Sequence, residues 1–123
     1  MILIKKILNT TENLTKKNNN LQINLALNYG SHQEIVDTIN YLKKKNIKIT
    51  KHNISKNLYT KNQPDPDILI RTGNTRRLSN FLLWQISYTE IFFIKKLWPD
   101  FNEKDFNKII YQFKKLKRNY GSI

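Results

Sequence analysis

The sequence predicts an α/β fold in which a parallel β-sheet is flanked by helices. Three apolar segments have the length and composition of strands, at residues 21–28, 68–70 and 90–94. Between and around them lie segments in which apolar residues recur every three or four positions, as in amphipathic helices. Strands that alternate with helices along a chain are typical of a parallel sheet.

The chain has 123 residues and is expected to form a single domain over residues 1–123. Its hydrophobic content of 39% is enough to build a core. No apolar run approaches the roughly 18 residues of a membrane span, and the N-terminal segment lacks a signal-peptide cleavage site. We therefore expect a cytoplasmic protein. The absence of cysteine excludes disulfides and thiolate metal sites.

The formal net charge of +13 has two explanations. Lysine, asparagine and isoleucine are all abundant, which is typical of an AT-rich coding bias and requires no binding partner. Alternatively, the charge forms a functional surface for a phosphorylated substrate or an anionic membrane face. No basic motif is interleaved with aromatic residues, so a nucleic-acid partner is not expected.

The N-terminal half contains four predicted elements. Residues 2–17 favour an amphipathic helix, and residues 21–28 alternate as a strand that ends at Tyr29-Gly30. Ser31 and Glu34 have the spacing of a capping box and predict the start of a second helix. The predicted inner stripe of that helix is Ile35, Val36, Ile39 and Leu42. A short polar helix around residues 50–59 is expected to turn Ile54 and Leu58 inward.

The C-terminal half begins with a rigid loop, Gln63-Pro64-Asp65-Pro66, which leads to the strand at 68–70. A helix over Phe81–Gln85 and the strand at 90–94 follow. Asn102 is the predicted N-cap of a last helix. The expected apolar positions of this helix are Phe106, Ile109, Ile110, Phe113 and Leu116, and Phe81, Trp84 and Trp98 are expected to be core residues.

The segment after the strand at 68–70 has the components of an anion site. Arg71 ends the strand, Gly73 lies in the following loop, and Ser79-Asn80 is expected to begin a helix. Free N–H groups at a helix start attract anions, and arginine side chains form paired hydrogen bonds with phosphate oxygens. Ligands of parallel sheets also bind at the carboxyl ends of strands. We therefore predict that Arg71, Arg77 and Ser79 bind a diphosphate, with Arg76 facing solvent.

Glu90 begins the strand at 90–94, and its residue type leaves two interpretations open. It is either a strand-end carboxylate that faces water or a ligand of Mg²⁺. Magnesium often takes only one or two protein carboxylates and completes its shell with water and substrate phosphates. His32 and His52 have no partner at the spacing of metal ligands, and we assign them no role.

This C-terminal segment resembles the signature of the cis-prenyltransferases, the undecaprenyl diphosphate synthase family. The matching residues are Arg71-Thr72-Gly73, Arg77 to Gln85, Tyr88, Glu90 and Leu97 to Phe101, and Asn28-Tyr29-Gly30 resembles a segment further upstream. The resemblance covers about the C-terminal half of the family's domain. It therefore implies a truncated cis-prenyltransferase fold that lacks the N-terminal strands.

Members of this family condense an allylic diphosphate with successive isopentenyl diphosphates. The resemblance implies that Arg71, Arg77 and Ser79 bind the diphosphate of isopentenyl diphosphate and that Glu90 helps to hold Mg²⁺. It also implies a homodimer or a complementing N-terminal half as partner. The lipid product would bring the protein to a membrane surface.

The family motif that carries the catalytic aspartate is absent, so no catalytic residue is assigned and activity of this chain alone is not expected. The family's C-terminal arginine, which reaches the partner subunit, is matched by Asn119, with Arg118 one place early. The functional hypothesis is the isopentenyl diphosphate-binding half of a prenyltransferase. The alternative is a non-catalytic remnant or an accessory, dimer-forming subunit.

Overall fold

The computed structural model of the chain describes residues 2–118. Four helices, two strands and one 3₁₀ turn follow one another in these residues. They are α1 (Ile2–Thr15), α2 (Ser31–Lys44), α3 (Lys51–Ser55), β1 (Ile68–Arg71), β2 (Glu90–Phe93), a 3₁₀ turn (Trp98–Asp100) and α4 (Glu103–Lys114). The α/β class and the positions of β1 and β2 agree with the sequence prediction.

The two strands form a parallel sheet, as predicted. Ile68 pairs with Glu90 and Arg71 pairs with Phe93, so the carboxyl end of β1 lies beside the carboxyl end of β2. Hydrogen bonds continue beyond the ladder, because the N–H of Ile94 donates to the carbonyl of Arg71 at 2.8 Å. Arg71 therefore ends at the sheet edge where ligands of parallel sheets bind.

The predicted strand at residues 21–28 does not form in this structure. The segment is neither helix nor strand, and residues 21–27 make no backbone hydrogen bond to any described residue. Its alternating apolar side chains are 62–74% exposed, and they are Leu21, Ile23, Leu25 and Leu27. The physical reason is that a strand needs a hydrogen-bonded neighbour, and residues 2–118 provide none for this segment.

Helix α2 has the predicted position, but its predicted cap is wrong, and its predicted inner face is right at Leu42 and Ile35 and wrong at Val36. Gly30 is the N-cap, and because glycine has no side chain it cannot make a side-chain cap hydrogen bond. Glu34 is fully buried and points to partners outside the helix, so it does not close a capping box with Ser31. The predicted Leu42 is buried, but the other buried residues of the helix are the polar Ser31, Glu34 and Thr38, while Val36 is 50% exposed.

The core is small and lies between α2 and α3. Leu42, Ile54 and Leu58 are buried, and Ile35 and Trp84 pack against them. The inward positions predicted for Ile54 and Leu58 are therefore confirmed, as is the core position of Trp84. The indole N–H of Trp84 also donates to the Ser55 hydroxyl at 2.9 Å.

The other two predicted aromatic core residues are not buried. Phe81 is 38% exposed and meets the Tyr29 ring edge-on at 5.7 Å. Trp98 is 73% exposed and stacks on Phe101, with 6.1 Å between the ring centroids. Both residues lie outside the small core between α2 and α3, and within residues 2–118 no second layer covers them.

The predicted helix at Phe81–Gln85 is also absent, and turns occupy these residues. Ser79, Asn80 and Leu82 have φ values of 50°, 60° and 47°, in the left-handed region. A right-handed helix cannot pass through such residues. Asn80 tolerates this conformation because its short polar side chain can hydrogen-bond locally, and here it has partners on α2.

Helix α4 begins as predicted. The Asn102 side chain accepts from the backbone N–H groups of Lys104 and Asp105, and the Asp105 carboxylate accepts from the N–H of Asn102. Of the predicted apolar positions, Ile109 is buried, whereas Phe106 and Leu116 are each 44% exposed. Within residues 2–118, none of the helices has the length and apolar character needed to cross a membrane.

Candidate anion site at the carboxyl end of β1

The loop after β1 folds back onto the end of β2. Gly73 donates its N–H to the carbonyl of Lys96 at 2.8 Å, and Asn74 donates to the carbonyl of Ile94 at 3.1 Å. Gly73 has φ +91°, a conformation that side chains rarely permit, which explains the glycine at this position. Both N–H groups are engaged within the protein, so the anion-binding capacity of this loop rests on its side chains.

Arg71 is half-buried and held in place. Its Nε donates to the Thr75 hydroxyl at 3.1 Å, which orients the guanidinium across the loop. This bond uses only one of the five guanidinium donors. The terminal Nη groups make no hydrogen bond to any described residue. Arg71 can therefore present a planar pair of donors to an anion.

Arg77 and Ser79 lie in the same loop, and both are exposed. Within residues 2–118, neither side chain makes a hydrogen bond or an ion pair. The structure shows no direct contact among Arg71, Arg77 and Ser79. Arg77 and Ser79 follow Arg71 in the loop after β1, and the polar atoms of these two side chains remain available to a ligand.

No helix begins at Ser79-Asn80, contrary to the prediction. The loop instead caps the start of helix α2. The carbonyl of Asn80 accepts from the N–H of Ser31 at 2.8 Å, and its side-chain Oδ1 accepts from the N–H of His32 at 2.9 Å. Asn80 thus caps α2 from 48 residues away. The loop returns a bond, because the N–H of Leu83 donates to the Ser31 hydroxyl at 3.0 Å.

Gly30 permits this docking. A Cβ at this position would lie 2.9 Å from the Asn80 side-chain nitrogen, closer than ordinary packing allows. The two segments that the sequence singled out, Asn28-Tyr29-Gly30 and the stretch from Arg77, are therefore in direct contact. A glycine at a helix start is the only signal in the sequence that indicates such a close approach.

Glu34 is the buried centre of this region, although its spacing from Ser31 predicted only a helix cap. Its carboxylate accepts from the Tyr29 hydroxyl and, at 2.7 Å, from the backbone N–H of Tyr59. The side-chain NH₂ of Gln85 donates to both carboxylate oxygens at 3.2 and 3.3 Å. One carboxylate therefore joins four segments of the chain. The signal that we missed is the spacing of Ser31, Glu34 and Thr38, which places three polar residues on one helix face.

The pKa of Tyr29 reflects this environment. Burial and the hydrogen bond to the Glu34 carboxylate raise its pKa from 10.0 to about 12. Both causes favour the neutral phenol, because a phenolate would be desolvated and would repel the carboxylate. The Tyr29 hydroxyl is thus a fixed hydrogen-bond donor at physiological pH.

Glu90 lies at the other end of the sheet from Arg71. It pairs with Ile68, three residues before Arg71 in the register, and three strand residues span about 10 Å. Its N–H donates to the carbonyl of Asp67 at 3.0 Å, while its carboxylate has no hydrogen-bond partner among residues 2–118. In this part of the chain, no three His, Asp or Glu side chains form a cluster that could hold a metal ion. Glu90 can therefore supply one metal ligand and not a complete site.

A separate open cavity of about 660 Å³ lies between β2 and α4. None of the four predicted site residues lines it. Its basic residues are Arg76, Lys95, Lys96 and Lys108, and Lys96 is paired with Asp105 at 2.7 Å. This cavity is the main competitor of the β1 loop for an anion.

Arg118, the arginine one place before the position of the family's C-terminal arginine, makes contacts within its own chain. Arg118 forms an ion pair with Asp67, donates to the carbonyl of Tyr88 at 3.1 Å and lies over the Phe113 ring. These contacts fasten the segment after α4 to the amino end of the sheet. Asn119, the alternative match, lies outside the described residues.

Comparisons with known proteins identify relatives across the whole chain. A family model described as "Putative undecaprenyl diphosphate synthase" matches residues 3–121. An isoprenyl transferase of Fusobacterium nucleatum is 43% identical over 121 residues, which cover 98% of this chain and 52% of the relative. The chain thus spans about half the length of the curated relatives it matches.

Solved structures agree with the sequence comparison. A probable undecaprenyl diphosphate synthase from Campylobacter jejuni has a TM-score of 0.88 and 35% identity, covering 97% of this chain and 56% of that one. Lavandulyl diphosphate synthase from Lavandula x intermedia, solved with dimethylallyl diphosphate, has a TM-score of 0.87 and 31% identity, covering 96% and 54%. The two-stranded sheet and its helices therefore match a little more than half of each of these two solved chains.

Proposed function

Because this chain belongs to the undecaprenyl diphosphate synthase family, a family of prenyl transferases, we propose that it carries the isopentenyl diphosphate-binding half of such a site. The complete reaction condenses isopentenyl diphosphate with an allylic diphosphate and yields a cis-polyprenyl diphosphate. The observation that carries the proposal is the position of Arg71 at the carboxyl end of β1, with the free side chains of Arg77 and Ser79 in the same loop.

The proposed roles follow from the chemistry of these side chains. Arg71 and Arg77 provide charge-assisted hydrogen bonds, and the planar guanidinium matches two oxygens of one phosphate group. The Ser79 hydroxyl adds a neutral donor. Holding one diphosphate in a fixed place lowers the entropic cost of bringing two substrates together. The chain's own residues would therefore bind and orient the isopentenyl substrate.

The same proposal gives Glu90 one ligand position on Mg²⁺. A lone carboxylate suits this ion, which usually keeps several waters and takes its other ligands from substrate phosphates. Because Glu90 lies about 10 Å along the register from Arg71, an ion held by Glu90 would reach the diphosphate through its waters or through phosphate oxygens that extend from the β1 loop, and there it would neutralise part of the charge. Glu90→Gln should weaken the Mg²⁺ dependence of diphosphate binding in a titration, while binding in the absence of Mg²⁺ stays unchanged.

The proposed setting is the cytoplasm, with a homodimeric assembly and a lipid product that brings the protein to a membrane surface. The net charge of +13 supports the last point, because basic residues near an anionic leaflet are each attracted by about 1 kcal/mol. Vesicle sedimentation at increasing salt would measure this attraction, which should fall as salt screens it.

Calorimetric titration with isopentenyl diphosphate tests the central assignment. We expect Arg71→Ala and Arg77→Ala each to weaken binding by about 10- to 100-fold, since a charged hydrogen bond contributes roughly 1.5–3 kcal/mol. Arg76→Ala is the matched control, because Arg76 has the same charge in the same loop but lines the other cavity. Equal losses in all three variants would indicate a general charge effect and would contradict the assignment.

A further inference from the structure

Three residues of the loop after β1 have a backbone conformation that side chains disfavour. Ser79, Asn80 and Leu82 have φ values of 50°, 60° and 47°, in the left-handed region. Asparagine adopts this region more readily than most residues, whereas serine and leucine have no such preference. Strained residues persist only where the surrounding structure holds them, and they cluster at ligand sites. The contacts that hold this segment therefore bear on the ligand proposed for Ser79.

Ser31, the first residue of α2, makes two of these contacts. It is fully buried, and its backbone N–H donates to the carbonyl of Asn80 at 2.8 Å. Its hydroxyl accepts from the backbone N–H of Leu83 at 3.0 Å. The two bonds fix both ends of the turn that contains Leu82. An alanine in place of Ser31 would keep the first bond, which uses the backbone, and would lose the second.

Asn80 makes a third contact through its side chain. Its Oδ1 accepts from the backbone N–H of His32 at 2.9 Å. Three hydrogen bonds thus hold residues 80–83 against the start of α2. The Ser79 side chain takes part in none of them, because it is exposed and makes no hydrogen bond to any residue within 2–118.

Ser79 is therefore an exposed residue that directly precedes a fixed one. The peptide bond between Ser79 and Asn80 is planar, so the bonds that fix Asn80 also restrict the backbone of Ser79. A restricted backbone limits the directions that the Ser79 hydroxyl can take. A group that is already held in place loses less conformational entropy when it binds a ligand than a mobile group does.

We infer that Ser31 and Asn80 are positioning residues, which hold Ser79 in its left-handed conformation and so restrict its hydroxyl for diphosphate binding. The inference rests on the proposed function, because it takes Ser79 as a ligand of the diphosphate. Ser31 is too deeply buried to touch the diphosphate, and both oxygens of Asn80 already accept hydrogen bonds from α2. The site thus depends on contacts with α2, a helix that carries none of its proposed ligands.

A double-mutant cycle tests the inference, with isopentenyl diphosphate binding measured by calorimetric titration. Ser79→Ala should weaken binding by about 2- to 10-fold, which corresponds to one neutral hydrogen bond. Ser31→Ala should weaken binding by about 2-fold or more, but by no more than Ser79→Ala does. In the Ser79→Ala background, Ser31→Ala should have no further effect, because a positioning residue acts only through the group that it positions.

Two more variants separate positioning from a general loss of stability. Thr38→Ala is the matched control, because Thr38 is also a buried hydroxyl residue of α2, but its hydroxyl donates to the carbonyl of Asn57 at 3.4 Å and not to the loop. This variant should leave binding unchanged. Asn80→Gly removes the Oδ1 acceptor while keeping a residue that readily adopts a positive φ, and it should weaken binding as Ser31→Ala does.

The outcomes distinguish this inference from the proposed function. If Ser79→Ala weakens binding but Ser31→Ala and Asn80→Gly do not, the positioning role alone is overturned. Equal losses from Ser31→Ala in both backgrounds, or a similar loss from Thr38→Ala, would also overturn it. If Ser79→Ala binds as tightly as the unaltered chain, Ser79 is not a ligand and the inference is overturned, and Arg71→Ala then shows whether the rest of the diphosphate assignment stands.

Discussion

Replacing the buried carboxylate of Glu34 should strongly destabilise the chain. Glu34→Ala removes the acceptor of the Tyr59 N–H, of the Gln85 side-chain NH₂ and of the Tyr29 hydroxyl. Gln85 is only 3% exposed, so its NH₂ group cannot turn to water. A hydrogen bond to a charged group contributes roughly 1.5–3 kcal/mol. The Tyr59 N–H loses its acceptor, and the Gln85 NH₂ keeps only the Thr60 hydroxyl at 3.2 Å. With Tyr29 partly rehydrated, the loss of these two bonds to a charged group therefore costs about 3–6 kcal/mol.

Urea denaturation followed by tryptophan fluorescence would measure this loss, since Trp84 packs against the core. Glu34→Gln should cost less, because the unpartnered Oε1 of Gln85 can accept from the new amide. Glu12→Ala, at an exposed position of α1, is the control and should change stability by less than about 0.5 kcal/mol. A loss below about 1 kcal/mol in Glu34→Ala, with an unchanged denaturant slope, would refute the view that this carboxylate joins the four segments.

Two further predictions concern individual residues. Asn102→Ala should destabilise α4 by about 1 kcal/mol, because it removes the acceptor for the first-turn N–H groups, and thermal unfolding would show no shift if the cap were unimportant. The raised pKa of Tyr29 means that the stability from its hydroxyl is fully present below pH 10 and is lost as the pH approaches about 12. Tyr29→Phe should remove that part of the alkaline loss, and an identical pH profile for the variant would contradict the assignment.

The parts of the fold that depend on local pattern could be predicted from the sequence. The apolar runs gave β1 and β2, and Asn102 with Asp105 correctly predicted the start of α4. Arg71 was correctly placed at a strand end because strand termination is a local property. The resemblance to the prenyltransferases also predicted the family, which the family model confirms over residues 3–121.

The features that were missed depend on contacts far apart in the chain. Asn80 leaves the helical region because it caps α2, so the pattern Ser79-Asn80 followed by apolar residues did not produce a helix. The Glu34 carboxylate accepts hydrogen bonds from Tyr29, Tyr59 and Gln85 and from no residue of its own helix. Residues 21–28 have a strand sequence, but the neighbour that would complete their hydrogen bonds is not within residues 2–118.

Mapping the binding site of isopentenyl diphosphate tests the account most directly. Backbone amide shifts would be recorded by NMR on the labelled chain as the ligand is added, with Arg71→Ala measured in parallel. We expect the largest shifts within residues 71–80, and we expect them to disappear in the variant. Shifts centred instead on Lys95, Lys96 and Lys108, which line the cavity between β2 and α4, would contradict the placement of the diphosphate at the end of β1.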